Sequence, residues 1–186
     1  MFDGSDTVVL HDELAYEEVL PVSWAPLAGT LDAAVAARFT ERNIRLLQAL
    51  AAIEDHGVSD KPDESGPDLA RLDFKINLLL DLVGQLLVAN RPRPPPVAIR
   101  FNAQGALWHA PTPLPKLADQ GLVEIHLRDF LAEPLRLVGT LTTVTAEGEV
   151  EARFAPVGEA VADLLERLIF RHHRRQVAGI RQPRRD

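Results

Sequence analysis

Apolar positions along this chain follow two different periods, and each change of period marks a change of element. Between positions 30 and 55, Val35, Phe39, Leu46, Leu47, Leu50 and Ile53 recur at helical spacing, with Arg38, Glu41, Arg42 and Arg45 interleaved. That pattern predicts an amphipathic helix which Thr30 can cap and which ends near Gly57. Positions 55–68 hold Gly, Pro, Ser and five acidic residues with almost no apolar content, the composition of a solvated link. Ser65-x-x-Asp68 then forms a capping box with Pro67 in the first turn, and no further proline occurs until Pro92, so a second helix is predicted over 69–89.

The second helix carries the most informative pattern in the chain. Leu69, Leu72, Ile76, Leu79, Val83, Leu86 and Asn90 advance by alternating steps of three and four, the a/d seam of a heptad repeat. Leu80 and Leu87 at e, with Leu82 and Ala89 at g, widen that seam beyond what a two-stranded coil covers. Burying one Leu or Val side chain is worth roughly 1.5–3 kcal/mol, so a whole row of them is not left in water. Self-association through Leu69, Leu72, Ile76, Leu79, Leu80, Val83, Leu86 and Leu87 is therefore expected, with the first helix as the expected cover.

Elsewhere the period is two. An early strand is predicted over 14–24, with a proline irregularity near Pro26. The run Asn90-Arg-Pro-Arg-Pro-Pro-Pro96 cannot continue a helix and is expected to be stiff and extended. Strands follow over 97–101, 106–109, 122–127, 135–144 and 150–154, separated by turn signals at Gln104-Gly105, Gln120-Gly121 and Glu147-Gly148. A closing helix over 157–176 puts Val161, Leu164, Leu165, Leu168 and Ile169 on one face. The fold class is α+β, with a small antiparallel barrel or sandwich.

Of the 186 residues, 46% are apolar and 25% charged, which places the chain among folded globular proteins. Cysteine is absent, so disulfides, thiolate metal sites and cysteine nucleophiles are excluded, and a reducing, cytoplasmic setting is expected. The first residues are acidic, and no apolar run approaches the roughly 20 residues that span a bilayer, so neither export nor membrane insertion is expected. Net charge is −7, yet Arg167, Arg171, Arg174, Arg175, Arg181, Arg184 and Arg185 gather near the end with His172 and His173.

Catalytic apparatus is not visible. The serines Ser5, Ser23, Ser59 and Ser65 occupy no nucleophile elbow, and neither a Gly-rich phosphate loop nor a two-His zinc motif occurs. Glu17 and Glu18, as neighbours on a strand, point to opposite faces. His172 and His173 point about 100° apart on a helix, with no ligand at i+4, and read as solvated surface histidines. No cofactor or metal is implied. Arg167, Arg171, Arg174 and Arg175 read either as favourable charge at a helix end or as an anion-binding cluster. The acidic remainder and scarce aromatics disfavour nucleic acid.

The order of short strands after position 96, with Gly105-Ala106-Leu107 after the strand at 97–101 and the terminal helix at 157–176, resembles the PilZ domain. More specifically, the chain resembles an atypical bacterial PilZ protein, a small barrel interrupted by a long two-helix insertion whose heptads form a coiled-coil oligomer, a tetramer in that type. The resemblance implies that residues 1–28 supply the first part of the barrel, 29–92 the helical oligomerisation insertion, and 93–186 the rest of the barrel and the C-terminal helix. PilZ domains that bind cyclic di-GMP well carry Arg-x-x-x-Arg before the barrel and Asp/Asn-x-Ser-x-x-Gly at a strand turn. This chain has Tyr16-Glu-Glu-Val-Leu20 in the first place and Phe101-Asn-Ala-Gln-Gly-Ala106 in the second, without the arginines, the serine or the final glycine. Two guanidiniums are needed to clamp phosphates bidentately, and a glycine lets backbone approach a ligand closely. Arg167-x-x-x-Arg171 and Arg171-x-x-x-Arg175 repeat the spacing, but on the closing helix. The resemblance thus implies a non-enzymatic signalling adaptor with weak or absent cyclic di-GMP binding, a protein partner, and a setting in bacterial motility or virulence. The rival readings are a direct cyclic di-GMP receptor using the C-terminal arginines and, below it, a nucleic-acid-binding oligomer.

Overall fold

The computed structural model describes residues 14–27, 29, 31–56, 67–90 and 93–181, with side chains for all of these except 55–56, 67–70, 73, 81, 87–90 and 178–181. In chain order the elements are β1 (Tyr16–Pro26), α1 (Ala33–His56), α2 (Pro67–Asn90), β2 (Pro96–Phe101), β3 (Gly105–His109), β4 (Gln120–Ile125), β5 (Leu135–Val144), β6 (Glu149–Phe154) and α3 (Glu159–Arg181). The caps assigned to Thr30 and Ser65, the link after Gly57, and the terminal Arg184 and Arg185 lie outside the described residues.

Six antiparallel strands close into a barrel in the order β1-β2-β3-β6-β5-β4. Closure depends on β1, which spends its first half on β2, Tyr16 opposite Phe101, and its second half on β4, Val22 opposite Ile125. The handover falls at Pro21, which has no N–H to offer either neighbour. Its carbonyl still accepts from the His126 amide at 3.0 Å. Alternation sets the lining: along β5, Leu135, Leu137 and Leu141 are buried while Arg136, Val138 and Thr140 are half-buried on the other face. At Gly105 an added Cβ would lie 2.6 Å from the Ala152 carbonyl oxygen, so glycine here permits the close pairing of β3 with β6.

Helix α3 closes the core with Val161, Leu165, Leu168 and Ile169, all buried. It continues to Arg181, past the end expected at position 176, so Arg171, Arg174 and Arg175 lie within the helix rather than in its last turn. Asp32 caps α1, its carboxylate accepting from the Ala34 amide at 3.0 Å.

The placement of α1 corrects one expectation. Its apolar row, Leu46, Leu47 and Leu50, is buried in the core shared with the barrel and α3, and α1 contacts α3 and β5. Among the described residues it packs on α3 and β5 rather than on α2. Asn43 shows what holds it there: its side-chain amide donates to the Arg136 carbonyl at 2.7 Å and its oxygen accepts from the Arg136 amide at 3.0 Å. The β5–β6 pairing begins only at Gly139, so Asn43 serves as the missing strand neighbour of Arg136.

Candidate functional site

Among the described side chains of α2, Leu72, Ile76, Leu79, Val83 and Leu86 are exposed, from 45% for Ile76 to 63% for Leu86, and Leu80 is half-buried. Leu69 and Leu87 lie on the same helix, with side chains outside those described. Two further residues widen the surface. Phe74 is 70% exposed and Leu78 49%, and in the heptad frame they fall at f and c, on the side away from the seam. The sequence reading followed the a, d, e and g rows and passed over this pair, although their i, i+4 spacing was visible. A helix apolar around most of its girth is stable when enclosed by other helices. Among the described residues no helix is long and apolar enough to cross a membrane.

The root of α2 is fixed to the connection between β4 and β5. Gly84 is buried there, and an added Cβ would come within 3.2 Å of the Phe130 backbone nitrogen. A mid-helix glycine is about 1 kcal/mol worse than alanine, and this close approach accounts for it. Arg93, just past the end of α2, has a side chain only 9% exposed. It donates to the carbonyls of Arg128, Asp129 and Leu131 and to the Asp129 carboxylate, at 2.9–3.3 Å.

The predicted basic residues of α3 are distributed rather than gathered. Arg167 lines a groove of about 760 Å³ between the β2–β3 turn and α3, together with Leu14, Asn102, Asp163, Glu166 and Phe170. Arg174 stands 6.0 Å over the Phe170 ring. Arg171 is half-buried, and Arg175 pairs with Glu54 at 3.3 Å. Asn102 turns inward: its side-chain oxygen accepts from the Gln104 and Gly105 amides at 2.8 and 3.1 Å, so it shapes the turn. A dianionic ligand entering this groove meets two carboxylates for one guanidinium, a poor balance for phosphate.

The reading of His172 as a solvated histidine is also corrected. Its ring stacks on buried Tyr16 with centroids 3.9 Å apart, and its Nε2 lies 2.9 Å from the Glu17 carbonyl and 2.9 Å from the Gln176 side-chain nitrogen. Glu17 and Glu18 do part company, Glu17 to Arg100 and Glu18 to the Tyr16 hydroxyl and Arg128. Burial, reinforced by the bond to Glu18, pushes the Tyr16 hydroxyl above its ordinary range, so it stays a donor. Burial alone would lower the Arg128 pKa, but Tyr16, Glu18 and Glu54 together hold it above the ordinary value. This cluster was not legible beforehand, because its members come from β1, α1, α3 and the β4–β5 connection and share no local motif.

Comparison with known proteins adds three findings. The model of the family described as "Atypical PilZ domain, cyclic di-GMP receptor" matches residues 47–182. A solved structure of a pathogenic protein from Xanthomonas campestris, described as a new tetrameric PilZ domain self-assembled via an unusual helical bundle, is 29% identical with a TM-score of 0.68, and the match covers 93% of this chain and 95% of that one. No curated protein matches.

Proposed function

We propose that this chain, which belongs to the atypical PilZ domain family, is a non-enzymatic cytoplasmic adaptor in cyclic di-GMP signalling, assembled into a tetramer through α2 and coupled to a protein partner. In this reading residues 29–92 are the oligomerisation insertion between a first barrel segment, 1–28, and the remainder, 93–186. Leu69, Leu72, Ile76, Leu79, Leu80, Val83, Leu86 and Leu87 form the contact between copies.

The observation that carries the reading is the apolar girth of α2, which is exposed among the described residues although the helix is rooted at Gly84 and followed by the buried Arg93. The tetrameric helical bundle of the Xanthomonas campestris protein supports the same order here. Weak or absent cyclic di-GMP binding is supported by the missing arginines at Tyr16–Leu20, by the inward turn of Asn102, and by Asp163 and Glu166 beside Arg167 in the groove. A role in bacterial motility or virulence fits an adaptor of this type.

Titration calorimetry with cyclic di-GMP tests the adaptor against the receptor. No saturable heat is expected from the wild type or from the Arg171→Ala, Arg175→Ala double variant. A micromolar site present in the wild type and lost in the variant would establish a receptor using the α3 arginines instead.

A further inference from the structure

A run of polar contacts leads from the basic side of α3 to residues 128–131, the segment against which Gly84 of α2 packs. Glu54, on α1, has a side chain 8% exposed, and its Oε1 lies 2.9 Å from Arg128 Nη2 and 3.3 Å from Arg175 Nη1. The other terminal nitrogen of Arg128, Nη1, donates to the Tyr16 hydroxyl at 3.0 Å and reaches the Glu18 carboxylate at 3.3 Å. On the far side of the same short segment, the carbonyls of Arg128, Asp129 and Leu131 accept from Arg93, and the Phe130 amide packs against Gly84 of α2. Residues 128–131 are therefore held from one side by β1 and by α1, which Glu54 ties to Arg175 of α3, and from the other by Arg93 and by the packing of Gly84 of α2.

Two physical features make such a joint stiff. A buried carboxylate shared by two guanidiniums divides its attraction between them, so the loss of one changes its hold on the other. The guanidinium of Arg93 is a planar fork, so a shift of the carbonyls it grips weakens several bonds at once instead of one after another. Displacement of residues 128–131 cannot be absorbed quietly at either end.

We infer that Arg128 is a positioning residue that sets the direction of α2 against the barrel and ties it to the state of Arg175 on α3. An anion or a partner carboxylate that captures Arg175 from Glu54 leaves that carboxylate to Arg128 alone, and the altered hold on Arg128 reaches α2 through residues 128–131 and Arg93. The inference rests on the reading of α2 as the assembly arm, and it supplies that arm with a control point.

Hydrogen exchange on the full chain, compared between wild type and Arg128→Lys, tests it. The variant keeps the charge and loses the fork. Exchange is expected to accelerate about tenfold or more at 128–131 and in the α2 turns from Gly84 onward, with β3 and β6 unchanged. Acceleration confined to the end of α1 would overturn the inference. Should Arg128→Lys loosen the whole barrel, an Arg175→Gln and Arg93→Lys cycle decides. Arg175 bonds Glu54 and Arg93 bonds residues 128–131, yet a coupled joint makes their combined effect at 128–131 depart from the product of the single effects by at least about twofold. Simple multiplication would overturn it. Solution mass measured on the same samples keeps the two claims apart: a wild type that is a single chain defeats the assembly reading, whereas intact exchange coupling still establishes the joint.

Discussion

Replacing Ile76 and Leu79 by aspartate separates the two roles α2 can have, an interface between copies and a part of the chain's own core. Ile76 is 45% exposed and Leu79 60% in the single chain, so the double change removes little intramolecular packing. Surface substitutions of this kind alter stability by roughly 0.5 kcal/mol each, and aspartate adds a few tenths in helix propensity. The cost to the isolated fold is therefore on the order of 1–2 kcal/mol. In an enclosed seam the same change forfeits about half the burial worth of each side chain, roughly 1 kcal/mol apiece, and forces two carboxylates out of water at several kcal/mol each. Every copy in the assembly bears that cost, at least about 5 kcal/mol, so the interface fails long before the fold does. Light scattering coupled to size-exclusion chromatography reads the outcome, with circular dichroism as the check on folding. The variant is expected to elute at the mass of one chain with its helical and sheet signal retained. Elution at an unchanged oligomeric mass would refute the reasoning, since it would place these two residues away from any contact between copies.

Asn43→Ala strands both the amide and the carbonyl of Arg136, and is expected to lower stability in urea denaturation by about 2–4 kcal/mol without changing the oligomer; a loss under about 0.5 kcal/mol would mean that α1 is held by its apolar row alone. His126 gives a pH dependence. Burial first, and the Arg93 charge second, lower its pKa below the ordinary 6.5, and its Nδ1 is buried without a partner. Between the lowered folded value and 6.5 the unfolded chain binds more protons, so this histidine's contribution is intact above 6.5 and lost as pH falls through the folded value. Wild type is therefore expected to lose more stability than His126→Gln between about pH 7.5 and pH 5, and parallel losses would show that other groups set the acid limit.

How far the sequence could be read depended on whether a contact is local. Strands β2 to β6 were legible because alternation and turn residues operate over a few positions, and α2 because its heptads do. The destination of α1 was not: an amphipathic helix declares that it has an apolar face, not which neighbour receives it. The deciding contact, Asn43 with the Arg136 backbone, links positions 93 residues apart. His172 misled for the same reason, since stacking on Tyr16 joins opposite ends of the chain. Phe74 and Leu78 escape a heptad reading, because that frame assigns their positions to solvent. The degraded ligand motif could be read directly from Tyr16–Leu20 and Asn102, whereas the acidic company of Arg167 emerged only when the β2–β3 turn met α3.

The mass of the unmodified chain in solution, followed by light scattering or sedimentation over a wide concentration range, bears most directly on the account. It should equal four chains, as in the tetrameric Xanthomonas campestris relative, and remain there when cyclic di-GMP is added. A folded single chain at working concentration would contradict it, because the apolar girth of α2 would then stand in water without a partner.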